Sequence, residues 1–400
     1  MLYNSFMPIN YQQVYAEIQQ IGAGAKARQQ SKEAAQMQAR ALLAYYASRL
    51  EELRAKLDSA RQIDSSLRCA APLTENLAAF YPPVESSDPV TLIAADGSQI
   101  QPDRHAALQF CVVNVGAILM QPGGGQAPQV FTDTELLYGD EISPNGQPLS
   151  EGVIALKRDL AERAKLDELS QNMAGAIVTF TDGPIELWGS KEDGQAFYEY
   201  SQKYLGALSR LRARNVITAG YVDKPSSSLV ARLLEVACAD AEQLRALKDF
   251  RPFTSRGVTD RWLFSPLLPP GCRSAVFQIQ SEAGKTYKND LALHFFYLNV
   301  GVEHHPSLAR VEIPQWVAQD ASALNLLHGV LVEQCRLMGS KPYPYLLNRA
   351  HEIAVVKHEE KTQIQQLLAL ELQRRGEELD AASNKQENKD TLALGRKRYS

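Results

Sequence analysis

Residues 90–99, VTLIAADGSQ, and residues 176–188, AIVTFTDGPIELW, decide the fold that this sequence predicts. Each is an apolar run that leads into an Asp-Gly pair, at Asp96 and at Asp182, and such a run bounded by turn residues predicts a buried strand. A carboxylate at the end of a buried strand is held at the rim of the sheet, and the glycine after it lets other groups approach closely. We therefore expect two neighbouring strands whose final aspartates converge. The alternative is two ordinary turns, because Asp-Gly is a common turn dipeptide.

Further apolar runs alternate with helical patterns along the rest of the chain. Strands are predicted at residues 90–95, 106–120, 176–181, 216–222, 274–280, 291–300 and 308–313. Helices are predicted at residues 150–173, 192–212, 226–248, 314–337 and 345–375. This alternation predicts an α/β fold with a mixed sheet flanked by helices.

The two ends of the chain differ from this pattern. Apolar residues recur at helical spacing over residues 30–60, which predicts an amphipathic helix, and the proline-rich residues 69–89 read as a linker. We expect an N-terminal helical extension over residues 1–70, a main domain over 71–375 and a polar, disordered tail over 376–400.

Composition limits the classes of protein that fit. The chain has 400 residues, of which 45% are hydrophobic, and these are enough for a sizeable core. It shows neither a signal peptide nor a run long enough to span a membrane, and its five scattered cysteines form no Cys-x-x-Cys pair, so we expect a cytoplasmic protein. A net charge of −4 gives no general attraction to nucleic acid, so any DNA contact must come from local basic groups or from metal ions.

Three further segments carry residues suited to chemistry. The helical stretch of residues 153–171 offers Asp159, Glu162 and Arg163 as candidates to face inward, and its periodicity does not decide between the two carboxylates or whether both are solvated. In YPYLLNRAHE, residues 343–352, His351 is a candidate metal ligand, although a helix histidine satisfied by a neighbour is the alternative. Lys224, in AGYVDKPSS, follows a predicted strand and either reaches a phosphate or is solvated.

Taken in order, IAADGSQ, FTDGPIELW, AGYVDKPSS and YPYLLNRAHE resemble the motifs of the NurA nuclease family over about residues 90–360. The order of the segments is the specific part, because each motif alone is weak. The resemblance implies a ribonuclease-H-like fold, often dimeric, that degrades DNA with manganese or magnesium and works with a HerA-type hexameric ATPase. It also implies a 5'-3' exonuclease and single-strand endonuclease acting in end resection for double-strand-break repair.

The resemblance assigns the catalytic set residue by residue. Its two aspartates are Asp96 and Asp182, and Tyr343 and His351 belong to its last motif. Its helix glutamate matches Glu162, with Asp159 as the alternative because the spacing in that helix is loose.

Phosphodiester hydrolysis fits such a set. Two hard cations activate a water and compensate charge on the attacking and leaving oxygens, and carboxylates are their preferred ligands. We expect two Mn²⁺ or Mg²⁺ ions, with Mn²⁺ preferred because it accepts imidazole more readily. Asp96 would bridge both ions and Asp182 and Glu162 would bind one each, while His351 is either a ligand or a group near the leaving oxygen.

Other roles remain open. Tyr343 would position the scissile phosphate or stack a terminal base, and Lys224, Arg256 and Arg261 would hold the DNA backbone. Arg261 precedes Trp262, in a stretch that core packing explains equally well. A catalytically silent module that binds DNA or the ATPase is an alternative to the enzyme, and so is an RNA nuclease on the same fold. The N-terminal helix is a candidate for dimerisation or partner docking.

Overall fold

The computed structural model describes residues 9–85, 88–103, 106, 108–146, 148–189, 194–240, 242–245 and 258–376. The strands are β1 Cys69–Pro72, β2 Val90–Ile100, β3 Phe110–Met120, β4 Gln129–Tyr138, β5 Ala176–Asp182, β6 Ile217–Asp223, β7 Phe277–Gln280, β8 Leu293–Asn299 and β9 Leu308–Pro314. The helices are α1 Tyr11–Ala23, α2 Ala25–Tyr46, α3 Leu50–Ile63, α4 Glu151–Leu169, α5 Gly194–Ala213, α6 Leu229–Cys238, α7 Asp260–Phe264, α8 Gln315–Ala318, α9 Ala321–Arg336, α10 Tyr345–Ala354 and α11 His358–Arg374.

Within the described residues the strands form one sheet in the order β1-β7-β8-β9-β6-β5-β2-β3-β4. Strands β2, β3 and β4 form an antiparallel meander, and β5 and β6 then add in parallel to β2 through crossovers that contain α4 and α5. The remaining strands extend the β6 side in antiparallel pairs. The expected α/β fold, a mixed sheet flanked by helices, is confirmed.

Both faces of the sheet centre are buried, which explains its nearly continuous apolar runs. Side chains alternate along β2, so that Ile93 and Ala95 pack into one hydrophobic cluster while Leu92 and Ala94 pack into the other. The first cluster includes residues of α3, α4, α5 and α6, and the second includes residues of α9 and α10. Helices α4 and α10 therefore approach the centre of the sheet from opposite faces.

The N-terminal helices differ in how far they belong to this core. Helix α1 has no buried residue, whereas α2 and α3 bury Leu43, Leu53 and Leu57 in the first cluster. The expectation of a single helix over residues 30–60 is wrong in one respect, because the helix is interrupted between α2 and α3.

Three other expectations about elements need correction. The proline-rich stretch expected to be a linker begins with β1, which pairs with β7 at the edge of the sheet. Strand β4 was not expected, and the predicted helix over 345–375 is divided into α10 and α11. The predicted helix over 314–337 is divided into α8 and α9, where Asp320 caps α9 by accepting the backbone N–H groups of Ser322 and Ala323.

Three expectations concern the wider chain. None of the described helices is both long and apolar enough to cross a membrane. All five cysteines lie in the described part of the chain and all are free thiols. The expected disordered tail lies, from residue 377 onward, outside the described residues.

Candidate active site

A cleft of about 460 Å³ lies where β2 and β5 meet helices α4 and α10. Asp96, Glu162, Asp182 and His351, four of the five expected catalytic residues, line it. Among the described residues, the lining is Asp96, Gly97, Ala155, Arg158, Asp159, Glu162, Arg163, Thr181, Asp182, Gly183, Pro184, Glu186, Trp188, Tyr204 and His351. Residues that are far apart in sequence therefore meet at one place on the sheet.

The register of two parallel strands brings the aspartates together. Ala95 of β2 is level with Thr181 of β5, so Asp96 and Asp182 come next on adjacent strands and share a face. The two Asp-Gly pairs are not alike, however, and the expectation of two matching turns is wrong. Gly183 turns with φ +84°, whereas β2 continues through Gly97 to Ile100, paired with β3. Asp96 lies within a strand, at the point where its parallel neighbour ends.

Helix α10 delivers His351 to Asp96. The Nδ1 atom of His351 lies 2.7 Å from Oδ2 of Asp96, whose Oδ1 accepts the backbone N–H of Gly97 at 2.8 Å. Ser98 Oγ and Asn114 Nδ2 both donate to the carbonyl of Ala354, at 2.5 and 2.7 Å, and so satisfy the last turn of the helix. The strand that carries Asp96 thus also anchors the helix that carries its partner.

A glycine permits this close packing of α10 on the sheet. A Cβ atom at Gly116 of β3 would lie 2.5 Å from the backbone nitrogen of Ala354 and 2.7 Å from the carbonyl of Ala350. Contacts that short cannot occur with any side chain, so glycine is required there for the helix to reach the site.

Helix α4 supplies the third carboxylate from the opposite face of the sheet. Glu162 is 6% exposed, and its Oε1 would be 2.6 Å from a Cβ atom at Gly97. Its side chain therefore lies directly over the backbone next to Asp96. Asp159, one turn earlier, is half-buried and is bound by Arg158 at 2.8 Å, while Arg158 Nε lies 3.4 Å from Glu162.

A buried cation lies beneath the carboxylates. Arg163 is 1% exposed and donates to the hydroxyls of Thr218, Thr181 and Tyr204 at 2.8, 3.0 and 3.2 Å. Its positive charge opposes the rise in the pKa of Glu162.

Burial and mutual repulsion raise the pKa values of two of the carboxyl groups. Burial raises the pKa of Glu162 well above its ordinary value, and the charges of Asp159 and Asp96 add to the rise, while Arg158 opposes it. The pKa of Asp182 is also raised, first by burial and then by Asp96. Asp96 is thus close enough to Glu162 and to Asp182 to disfavour the charge of each, and a bound cation would relieve that repulsion.

Tyr343 supports Asp182 from behind. Its hydroxyl donates to the Asp182 carboxylate, which opposes the rise in the pKa of that group, and its ring packs edge-on against Tyr221 with ring centroids 5.5 Å apart. Burial raises the pKa of Tyr343 itself, so the hydroxyl keeps its proton and remains a donor.

The chemistry of the donor set fits a hard divalent cation. Carboxylate oxygens are the ligands that Mg²⁺ and Mn²⁺ prefer, and an imidazole is acceptable to Mn²⁺. Within the described residues, no three His, Cys, Asp or Glu side chains are grouped closely enough to form a complete metal site. Asp96 and Asp182 are instead hydrogen-bonded to His351 and Tyr343, and Glu162 is paired with Arg158.

Lys224 and Arg261, two of the three expected phosphate-binding residues, do not line the cleft. Lys224 follows β6 with a positive φ, and its side chain is 70% exposed beside Asp223. Arg261 lies in α7, where its guanidinium stacks on Trp262. Arg256 lies outside the described residues.

Sequence reasoning missed several groups around the cleft. Arg158 stands on α4 beside the two candidate carboxylates, but its charge predicts a solvated helix face equally well, whereas Arg163 was expected to face inward and does. Glu186 and Trp188 belong to the FTDGPIELW segment, and a polar and an aromatic residue so soon after Asp182 were the available signal.

Comparison with solved structures gives matches at low sequence identity, including these three. The NurA nuclease from Sulfolobus solfataricus is 12% identical, with a TM-score of 0.48 over 74% of this chain and 88% of that one. The catalytic domain of human endonuclease V is 12% identical, with a TM-score of 0.32 over 80% and 98%. Endonuclease V of Ciona intestinalis, in complex with an inosine-containing DNA, is 12% identical, with a TM-score of 0.29 over 78% and 96%.

Sequence comparison is more decisive. Comparison with curated proteins gives no match. The family model for the NurA domain matches residues 90–356, a range that begins with β2 and ends just after α10. That range contains all the cleft-lining residues that the structure describes, and the match confirms the resemblance that the four motifs indicated. The chain belongs to the NurA family of nucleases.

Proposed function

We propose that this nuclease is a divalent-metal-dependent deoxyribonuclease whose active site is the cleft of Asp96, Glu162, Asp182 and His351. The observation that carries the proposal is the convergence of three carboxylates from β2, β5 and α4 with an imidazole from α10. Three acidic groups at one place cost electrostatic free energy, which a metal ion offsets.

Asp96, Asp182 and Glu162 would hold two Mn²⁺ or Mg²⁺ ions, with His351 as a further ligand to the Mn²⁺ form. Metal ions in such a site activate a water and stabilise charge on the attacking and leaving oxygens. Glu162 is favoured over Asp159 as the helix ligand, because Glu162 lies against Gly97 beside Asp96 while Asp159 is engaged by Arg158.

The other residues have separate roles in this account. The hydroxyl of Tyr343 holds the Asp182 carboxylate in place. Arg158, partly exposed in the cleft, would bind a phosphate oxygen next to the reacting one. Lys224 would contact the DNA backbone outside the cleft, where its side chain is 70% exposed beside Asp223.

We further propose the wider role that the family resemblance implies. The enzyme would act as a 5'-3' exonuclease and single-strand endonuclease in end resection for double-strand-break repair, as a homodimer working with a HerA-type hexameric ATPase. A cytoplasmic location is supported by five free cysteines.

The test is degradation of end-labelled single- and double-stranded DNA, and of matched RNA, with Mn²⁺, Mg²⁺ or EDTA. We expect DNA cleavage that EDTA abolishes and that Asp96→Ala and Asp182→Ala each remove while the fold is retained. Lys224→Ala should weaken DNA binding without abolishing cleavage.

Other outcomes would contradict the proposal in different ways. Cleavage of RNA in preference to DNA would replace it with the RNA nuclease. Intact DNA under every condition, with and without a HerA-type ATPase, would favour a catalytically silent binding module.

A further inference from the structure

Trp188 lines the same cleft as the carboxylates but takes no part in the core. It follows β5 by six residues, and 58% of its surface is exposed. The other tryptophans are more engaged. Trp316 donates its indole N–H to the carbonyl of Val216, and Trp262 is 39% exposed beneath the ammonium of Lys32. Trp188 is thus a large aromatic surface open to the cleft.

A cation holds this ring in place. The guanidinium of Arg68 stacks on the Trp188 indole, 4.5 Å from the ring centroid, and also binds both carboxylate oxygens of Glu186, at 2.9 and 2.5 Å. Glu186 is 1% exposed and accepts a further hydrogen bond from Ser281 at 2.6 Å. Because a buried carboxylate needs a counter-charge, this ion pair orients the Arg68 plane and the ring upon it.

Arg68 comes from outside the family domain. It lies between α3 and β1, before the start of the matched range at residue 90. The N-terminal segment therefore contributes a positive charge to one wall of a cleft that the family domain builds.

The structure also limits which aromatic group is available for a base. The Tyr343 ring packs against Tyr221 and its hydroxyl is bound to Asp182, so Tyr343 is engaged in holding a carboxylate. An exposed indole backed by a guanidinium is suited to stacking on a nucleobase, and every base has a face to stack on. A base within a duplex is already stacked on its neighbours and cannot offer that face.

We propose that Trp188 and Arg68 form a stacking platform for the unpaired base beside the scissile phosphate, so that the cleft takes single-stranded DNA. The inference rests on the proposed nuclease function and names the form of its substrate. Arg68 adds attraction for the phosphates, and Glu186 and Ser281 are positioning residues that keep the platform rigid.

The experiment combines a protein variant with a change in the substrate. Cleavage of a single-stranded oligonucleotide with Mn²⁺ is compared with cleavage of oligonucleotides in which one abasic sugar is moved a position at a time. The wild type should lose about tenfold or more in kcat/KM when the abasic sugar occupies the stacked position. Trp188→Ala should show the same loss of kcat/KM on the intact oligonucleotide. The abasic sugar at the stacked position should cause no further loss in that variant. Trp188→Phe should recover most of the rate.

Trp262→Ala is the matched control, because Trp262 also carries a stacked cation but does not line the cleft. It should keep the wild-type rate and the wild-type abasic penalty. A folded Trp188→Ala protein with the same abasic penalty as the wild type would overturn the platform.

A binding measurement separates this inference from the proposed function. Oligo(dT) should quench the intrinsic fluorescence of the wild type in EDTA, and Trp188→Phe should remove most of that quenching. Quenching through Trp188 without metal-dependent cleavage would overturn the nuclease proposal and leave the platform standing. Cleavage without a Trp188-dependent quench or abasic penalty would overturn the platform alone, and the absence of both would overturn both.

Discussion

Two carboxylates one turn apart on α4 illustrate what a single residue contributes to the site. Sequence periodicity did not separate Asp159 from Glu162, because the two stand three positions apart on the same side of a helix. Their surroundings do separate them. Glu162 is buried over Gly97, while Asp159 is half-exposed and forms an ion pair with Arg158.

This difference predicts unequal effects of one chemical change. Glu162→Gln should lower kcat by more than the roughly 10- to 100-fold that loss of an outer partner typically costs, because it removes a proposed ligand. Asp159→Asn, which makes the same change in charge one turn away, should stay within a few-fold of the wild type. The measurement is single-turnover DNA cleavage with thermal unfolding as a check on folding. The reverse order of effects would assign the ligand to Asp159.

A buried histidine that resists protonation should make the folded protein less stable as the pH falls below neutral. His328 is fully buried and its Nε2 is 2.7 Å from the carbonyl of Gly271, and burial lowers its pKa to about 4 from an ordinary value of 6.5. Between those values the unfolded chain binds the proton and the folded chain does not. The stability of the wild type should therefore fall as the pH falls from 6.5 to 4, with a contribution from His328 of about 1.4 kcal/mol per pH unit.

The variant His328→Gln isolates that contribution. Glutamine keeps a donor for the carbonyl of Gly271 but does not titrate, so its denaturation curves should lose less stability than those of the wild type over the same interval. Parallel loss in the two proteins between pH 6.5 and 4 would exclude His328 as the group responsible.

At the scale of elements, the end of α10 depends on polar side chains of the sheet. Ser98 and Asn114 share the carbonyl of Ala354, and Thr134 of β4 holds Asn114 from the other side at 2.6 Å. The sequence offered no sign of this anchor, because Ser98 reads as part of a turn and Asn114 as an interruption of an apolar run.

Loss of the anchor should affect the site more than the fold. Ser98→Ala removes one hydrogen bond of two to the same carbonyl and should cost about 1 kcal/mol of the free energy of unfolding. Because His351 lies on the last turn of that helix, cleavage should fall further than this stability loss explains. An unchanged cleavage rate together with the expected drop in stability would show that the helix end does not position His351.

The N-terminal helices divide into a part that supports the core and a part that does not. Deletion of residues 1–24 removes α1, which has no buried residue, and should leave the thermal unfolding midpoint nearly unchanged. Deletion of residues 1–60 also removes Leu43, Leu53 and Leu57 from the first hydrophobic cluster. Since truncation of even one buried leucine costs about 2–5 kcal/mol, we expect that shorter protein to unfold or aggregate.

The smaller deletion is therefore the one that tests a partner role for the extension. If α1 serves dimerisation or docks the ATPase, removal of residues 1–24 should lower the oligomeric mass or weaken ATPase binding in a protein that remains folded. An unchanged mass and unchanged binding would rule out that role for α1.

How well elements can be predicted depends on where their partners lie. The central strands were found because both faces of the sheet demand apolar residues. Strand β4 was missed because it is an edge strand whose side chains are mostly exposed, and β1 was missed because a four-residue strand owes its form to pairing with β7, two hundred residues away. The gap between α2 and α3 likewise depends on tertiary packing.

For the molecule as a whole, a net charge of −4 disfavours the binding of DNA, which is also negatively charged. The carboxylates of the cleft contribute to this negative charge, and metal binding would neutralise part of it where the phosphate enters. Binding of DNA in the cleft should thus be tighter when metal is bound than in EDTA. The sequence predicted the aspartates, His351 and the α/β frame, but the Asp96–His351 contact arises only when β2 and α10 meet.

A calorimetric titration of Mn²⁺ into the wild type, Asp96→Asn, Glu162→Gln and Asp182→Asn would show whether the cleft is a metal-binding site. The wild type should bind about two ions and be stabilised against heat by them. Each variant should bind fewer ions or bind them far more weakly. Equal binding by all four proteins, or no binding by a folded wild type, would contradict a metal-dependent site in this cleft.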